Sequence, residues 1–111
     1  MPFKSFNNLL EEEVFPGATR KIIHEDKIML VLWKLEPGTT LPLHSHPHEQ
    51  VTYILEGKAM VTVGEEKREV GPGDVYSTPY GSRLEHSVEV LGDEPFLELD
   101  VFHPIREDFL K

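Results

Sequence analysis

Frequent glycine and proline breaks are the feature that most limits how this chain can fold. Its 111 residues contain nine prolines and eight glycines, which separate short apolar runs, and no long stretch repeats at a helical period. This punctuation is typical of β-strands joined by turns and corners. About eight short strands would fit, which favours a small barrel or a double-sheet jelly roll. At this length we expect a single all-β domain that spans residues 1–111.

One predicted strand differs from the others because it has no polar face. Every position from Ile28 to Trp33 is apolar. A barrel interior can cover only one face of a strand, so we expect a symmetric homodimer to bury the other. The tail, residues 104–110, is expected to form one helical turn packed by Phe109 and Leu110. The strands are predicted at residues 19–25, 27–36, 49–56, 58–63, 67–70, 74–77, 85–91 and 95–103.

The charge balance restricts the partners of this chain. It has 11 basic and 20 acidic residues, a formal net charge of −9. Nucleic acids and anionic membranes bind basic surfaces, so neither is an expected partner. The absence of cysteine excludes a disulfide framework, a thiolate ligand and a cysteine nucleophile. Residues 1–15 lack the apolar core of a signal peptide and no apolar run could span a bilayer, so we expect a cytoplasmic protein.

Three histidines and a side-chain amide lie within seven residues and indicate a metal site. Alternate residues of a strand share a face, so His44 and His46 can reach one ion. Imidazole suits zinc, copper, iron and nickel, and the carboxamide oxygen of Gln50 can complete such a set. His48 has the same parity but follows a proline that interrupts the strand, so we place it at the rim of the site. His86 offers a further imidazole downstream.

Two glycine-bounded segments resemble the two motifs of the cupin superfamily. The first motif is Gly, five residues, His, one, His, three or four, Glu, six, Gly, and here Gln50 stands at the glutamate position. The second is Gly, five, Pro, one, Gly, two, His, and here His86 comes two residues later. The resemblance implies a cupin jelly-roll β-barrel with a divalent transition metal (zinc, nickel, manganese, iron or copper) in one mouth. The matching residues are Gly38, His44, His46, Gln50 and Gly57, then Gly73, Pro79, Gly81 and His86. The implied metal ligands are His44, His46, Gln50 and His86.

The end of the chain resembles a narrower group, the small cupins of pectin and alginate breakdown. Residues 100–110 follow the pattern Asp, x, Phe, x, Pro, x, Arg, x, Asp, aromatic, Leu. The resemblance implies that Asp100, Phe102 and Arg106 line a substrate pocket beside the metal. The implied activity is a metal-dependent, non-redox, isomerase-like ring opening and ketonisation of 4,5-unsaturated uronates. In that activity Asp100 would move a proton, and Arg106 would bind the carboxylate of a small anionic sugar.

Two other functions fit the same motifs. A small metal-dependent dioxygenase would use three histidines and one oxygen ligand to hold iron or copper, and it predicts an apolar pocket with no role for Arg106. A non-catalytic cupin that binds a small molecule predicts affinity without turnover. The fold does not separate these functions, because cupins host many of them.

The strand that ends at residue 103 gives two conflicting predictions. Residues 97–101 alternate between apolar and acidic, and the simple rule buries Leu97, Leu99 and Val101 while it exposes Glu98 and Asp100. The resemblance implies the opposite parity, with residues 100 and 102 facing the pocket. We follow the resemblance and expect the leucines on the outer side.

Overall fold

The computed structural model describes residues 2–81 and 84–110, and within them the chain is almost entirely β-strand and turn. Two short 3₁₀ helices, Phe6–Asn8 and Glu107–Leu110, flank the described strands. No helix in the described part of the chain has the length and apolar character needed to cross a bilayer. The strands are β1 (Glu12–Phe15), β2 (Ala18–His24), β3 (Met29–Leu35), β4 (Thr40–His44), β5 (Glu49–Glu56), β6 (Lys58–Val63), β7 (Glu66–Val70), β8 (Val75–Thr78), β9 (His86–Leu91) and β10 (Phe96–His103).

The strands form two antiparallel sheets that face each other. One has six strands in the order β1-β2-β3-β10-β5-β8, and the other has four in the order β4-β9-β6-β7. Chain neighbours such as β5 and β6 lie in different sheets, as in a jelly-roll sandwich. The all-β prediction is confirmed. The backbone hydrogen bonds of the described strands do not join the two sheets, so closure into a continuous barrel is not part of this fold.

Alternate residues of the six-stranded sheet fill the space between the sheets. In β3 the side chains of Met29, Val31, Trp33 and Leu35 are buried, while the residues between them are half-buried or exposed. The opposite sheet contributes buried apolar residues of its own, including Val61. The period-2 pattern therefore sets which face of each strand is inside.

The strand β10 has the parity that the family resemblance implied. Glu98, Asp100 and Phe102 are buried, whereas Leu99 and Val101 are only half-buried on the outer face. The simple alternation rule is wrong for this strand, because it assumes that the apolar set faces inward. Here β10 lies in the middle of the six-stranded sheet, between β3 and β5, and its acidic residues point toward the cavity described below.

Two strands and one helix complete the comparison with the sequence predictions. The strands β1 and β4 were not among those predicted, since both are short and β4 contains a proline. The predicted terminal turn is the 3₁₀ helix Glu107–Leu110. Phe109 packs with its ring centroid 5.8 Å from that of Phe102, but Leu110 is 45% exposed and does not help to pack the helix.

Candidate metal centre

Three histidines, two at or just after the end of β4 and one at the start of β9, meet at one end of the sandwich. His44 is the last residue of β4, and His86 is the first residue of β9, directly opposite it in the strand pairing. His46 lies in the loop that follows β4 rather than in a strand. One ring nitrogen of each histidine lies within 4.8 Å of those of the other two. The predicted convergence is therefore present, although a loop and a strand pair produce it instead of a shared strand face.

Backbone carbonyls fix the orientation of all three rings. In each histidine, Nδ1 faces the carbonyl oxygen of a residue two positions away, at 2.8 Å for His44, 3.2 Å for His46 and 3.1 Å for His86. A carbonyl oxygen only accepts, so Nδ1 carries the hydrogen and Nε2 carries the free lone pair. The Nε2 atom of His86 is buried and has no hydrogen-bond partner among the described residues. This arrangement is the one that metal-ligating histidines adopt.

Gln50 places an oxygen against the same cluster. Its side chain is buried in β5, and Oε1 lies 2.8 Å from Nε2 of His46. Both atoms are acceptors when Nδ1 of His46 carries the hydrogen, so their approach is repulsive unless a cation lies beside them. Two ligand atoms that each lie about 2.1 Å from one ion are separated by about 3 Å. The four donors, His44, His46, His86 and Gln50, therefore fit a divalent transition metal.

Burial keeps two of these rings neutral. Burial, reinforced by the positive charge of Arg106, lowers the pKa of His46 to about 4. Burial, with the neighbouring His44 ring, lowers the pKa of His86 to about 4. Neutral imidazole is the form that binds a metal, so both rings are ready for an ion at neutral pH. His48 is not part of this three-histidine cluster, although its ring centroid is only 5.5 Å from that of His46.

A cavity of about 270 Å³ opens beside the histidine cluster. Its wall contains one side of the cluster, through His44, Gln50 and His86. It also contains the three residues that the resemblance placed in a substrate pocket, Asp100, Phe102 and Arg106. The structure thus brings three of the four predicted metal ligands and all three predicted substrate residues to one cavity.

Asp100 belongs to a buried polar network that sequence analysis only partly identified. Thr52 Oγ1 donates a hydrogen bond to Asp100 Oδ1 at 2.7 Å, and Tyr76 Oη donates to Glu98 Oε2 at 2.9 Å. Burial raises the pKa of Asp100, and burial together with the charge of Asp100 raises the pKa of Glu98 well above its usual value. Glu98 and Thr52 were missed as site residues. The parity of Glu98, the same as that of Asp100, was the signal that could have found it.

Arg106 is held by its own segment of the chain. Its Nε and one terminal nitrogen bind the carboxylate of Asp108 at 3.1 and 2.8 Å. Its guanidinium lies 4.1 Å from the ring centroid of Phe109, and the guanidinium of Arg20 lies 4.0 Å from the same centroid. Arg20 also lines the cavity and is ion-paired with Glu12, so the cavity wall holds two arginines, each paired with a carboxylate. Sequence analysis did not single out Arg20, because it lies in a strand far from both motifs.

Comparison with known proteins identifies the family. Residues 31–102 match the family profile described as Cupin domain, and the chain belongs to the cupin family. Over 101 residues it is 35% identical to the pectin degradation protein KdgF of Dickeya dadantii, and the match covers 89% of each chain. The predicted resemblance to cupins, and to the small cupins of pectin breakdown in particular, is confirmed.

Solved structures agree with this assignment. The structure of KdgF from Halomonas sp. superposes with a TM-score of 0.86 at 31% identity, over 93% of this chain and 94% of that one. An RmlC-like cupin from Shewanella frigidimarina superposes with a TM-score of 0.89 at 25% identity, over 98% and 96% of the two chains. Both cover nearly all of the sandwich described above.

Proposed function

We propose that this protein is a metal-dependent, non-redox enzyme that opens and ketonises 4,5-unsaturated uronates released from pectin or alginate. The observation that carries the proposal is a single cavity that borders the three-histidine and amide cluster, through His44, Gln50 and His86, and is also lined by the buried carboxyl group of Asp100 and by Arg106. The relative named as a pectin degradation protein supports the same substrate class.

The proposed reaction is an isomerisation that needs no oxidant. The substrate is a cyclic enol ether in which the ring oxygen is bonded to C5 of a C4=C5 double bond. The C1 hydroxyl loses its proton, the bond from C1 to the ring oxygen breaks with its electron pair on that oxygen, and the oxygen gains a proton, so that an aldehyde forms at C1 and an enol at C5. The enol oxygen then loses a proton and C4 gains one, which leaves a ketone at C5. We assign these proton transfers to Asp100, whose carboxyl group lines the cavity beside the metal ligands.

The metal site and the arginines suit an anionic substrate. His44, His46, His86 and Gln50 would hold the ion, which would supply a Lewis acid that stabilises negative charge on substrate oxygens. All four ligands are neutral, so they leave the charge of the ion uncompensated. Arg106 and Arg20 place two guanidinium groups in the wall of the same cavity, each paired with one carboxylate, Asp108 and Glu12. Arg106 would bind the sugar carboxylate with the N–H groups that Asp108 leaves free, or by exchanging Asp108 for it.

The test uses Asp100→Asn with Asp93→Asn as its control. Asp93 is an exposed carboxylate in the turn between β9 and β10, so its loss should leave activity unchanged. Loss of the conjugated chromophore of an unsaturated uronate reports the rate. Asp100→Asn should reduce kcat by about 10²–10⁴-fold, because the amide keeps the shape but cannot move the proton. A metal-loaded wild-type protein that does not accelerate the reaction over buffer would refute the proposal.

Arg106→Lys tests whether Arg106 binds the carboxylate of the sugar. The ammonium group keeps the charge but loses the planar two-donor fork, so KM should rise while kcat changes little. A substrate analogue that lacks the carboxylate should be insensitive to this change. Equal effects on the charged and the neutral substrate would remove the carboxylate contact from the proposal.

One observation favours a second candidate, a small metal-dependent dioxygenase. The two-donor fork of Arg106 is already bound to Asp108, and dioxygenase activity would not need it. Oxygen consumption by the iron-loaded or copper-loaded protein, in the absence of uronate turnover, would favour this function over ketonisation.

We also propose that the protein is a homodimer. The outer face of the predicted apolar strand, with Leu30 and Leu32 half-buried, continues across β10 through Leu99 and Val101. It ends on the exposed side chains of Val51, Tyr53 and Val75. A contiguous apolar face of this kind is more often covered by a partner than left in water. A second copy of the chain, related by a two-fold axis, is the partner that we expect.

A further inference from the structure

A buried threonine lies behind the amide of Gln50 and connects it to Asp100. Gln50 Nε2 donates to Thr52 Oγ1 at 2.8 Å, and Thr52 Oγ1 donates to Asp100 Oδ1 at 2.7 Å. Thr52 is fully buried. It is paired with Asp100 of β10 on one side and with Tyr76 of β8 on the other, so its backbone is held by two neighbouring strands. Its hydroxyl therefore has a fixed position between the two groups that it contacts.

The direction of these two hydrogen bonds determines which end of the amide faces the histidines. A threonine hydroxyl has one proton to donate. That proton goes to the carboxyl oxygen of Asp100, so toward Gln50 the hydroxyl can only accept. Only the NH₂ end of the amide can donate to it, and Oε1 is thereby turned toward His46, at 2.8 Å from its Nε2. If the Gln50 amide were turned so that Oε1 and Nε2 exchanged places, Oε1 would face the lone pairs of the hydroxyl and the NH₂ group would face the cation.

We propose that Thr52 is a positioning residue whose hydroxyl selects the metal-binding orientation of the Gln50 amide. The same hydroxyl fixes the carboxyl group of Asp100, so one side chain orients both a metal ligand and the residue that moves the proton. This inference rests on the proposed metal centre. It assigns a role to a residue that does not itself touch metal or substrate.

The experiment compares three variants by their affinity for zinc. Thr52→Val keeps the shape of the side chain and removes the hydroxyl, whereas Thr52→Ser keeps the hydroxyl. Thr78→Val is the matched control, because Thr78 is also buried, lies opposite Gln50 in β8, and has no hydrogen-bond partner for its hydroxyl among the described residues. Zinc affinity is measured by competition with a chromophoric chelator, so the readout does not depend on activity.

Thr52→Val should bind zinc about 10–100-fold more weakly than wild type, the usual cost of losing a group that orients a metal ligand. Thr52→Ser and Thr78→Val should bind it as wild type does. The loss should also disappear in a Gln50→Ala background, because Thr52 then has no amide to orient. A merely structural role would persist in that background. Thr52→Ala serves the same comparison if valine prevents folding.

Two outcomes would overturn the inference and can be told apart. Equal zinc affinities for wild type and Thr52→Val would overturn this inference alone and leave the proposed centre intact. Failure of the wild-type protein to bind zinc or any other divalent transition metal would overturn the centre and this inference together.

Discussion

Two glycines of the first cupin motif have almost the same backbone conformation but very different surroundings. Gly38 has φ +81° and Gly57 has φ +84°, both in the left-handed region. A Cβ added at Gly38 would meet nothing within 4 Å. A Cβ added at Gly57 would lie 2.5 Å from the carbonyl oxygen of Pro95 and 2.9 Å from Cα of Phe96. A comparison of alanine substitutions at these two positions therefore separates the free-energy cost of the left-handed backbone from the cost of a steric clash.

The expected magnitudes follow from these distances. A left-handed conformation costs an ordinary residue about 1–2 kcal/mol, and alanine recovers about 0.4–1 kcal/mol by restricting the unfolded chain. Gly38→Ala should therefore destabilise the fold by about 1 kcal/mol. Gly57→Ala carries the same cost plus a clash with the backbone at the start of β10, and overpacking of this kind costs about 1–3 kcal/mol more. Its total should reach about 2–4 kcal/mol.

Thermal unfolding followed by circular dichroism, in the presence of a chelator, measures both variants. A loss of 1 kcal/mol lowers the Tm of a domain of this size by roughly 4–8 °C. The Tm of Gly38→Ala should be lower than that of wild type by about that amount, and the Tm of Gly57→Ala should be lower by about two to four times as much. Equal decreases in Tm for the two variants would refute the reasoning, because they would show that the contact with residues 95 and 96 has no effect.

Three further predictions concern charge and assembly. Burial lowers the pKa of His46 and of His86 from 6.5 to about 4, so each ring contributes stability that is lost as pH falls from 6.5 to 4; in urea titrations of the metal-free protein, the stability advantage of wild type over His86→Gln should shrink over this range, and an advantage that did not change with pH would refute the assignment. The raised pKa of Glu98 has the opposite effect, because it makes the fold lose stability as pH rises above 4.5. The free energy of unfolding of Glu98→Gln should therefore increase relative to that of wild type between pH 5 and pH 8, and a constant difference would contradict this. Light scattering should give the mass of a dimer for wild type and of a monomer for Tyr53→Lys, because the lysine places a charge on the exposed face of the sheet. A monomer mass for wild type at micromolar concentration would contradict the proposed dimer.

Local patterns predicted the fold class because strand parity and turn residues are short-range properties. They could not predict the inward face of β10. The acidic residues Glu98 and Asp100 occupy the buried face because it opens on a cavity with two arginines and the histidine cluster, and alternation contains no information about that cavity. The family resemblance supplied the correct parity for Asp100. It did not supply Glu98, whose partner Tyr76 comes from a different strand.

The candidate site shows the same division between local and distant information. His44 and His46 were found through their spacing, although His46 reaches the cluster from a loop. Thr52 was missed because a buried threonine in a strand is ordinary for β-structure. Its importance depends on Asp100, which is distant in sequence and becomes a neighbour only when β5 pairs with β10.

The single proton of the Thr52 hydroxyl has a consequence for sequence variation among related chains. At position 50 the first cupin motif usually has glutamate, and a carboxylate there would compete with Asp100 for that one proton. The amide avoids the competition because it donates to the hydroxyl instead. Positions 50, 52 and 100 should therefore covary: chains that combine glutamine, threonine and aspartate should be common, whereas chains with glutamate at 50 should have lost the threonine or the aspartate.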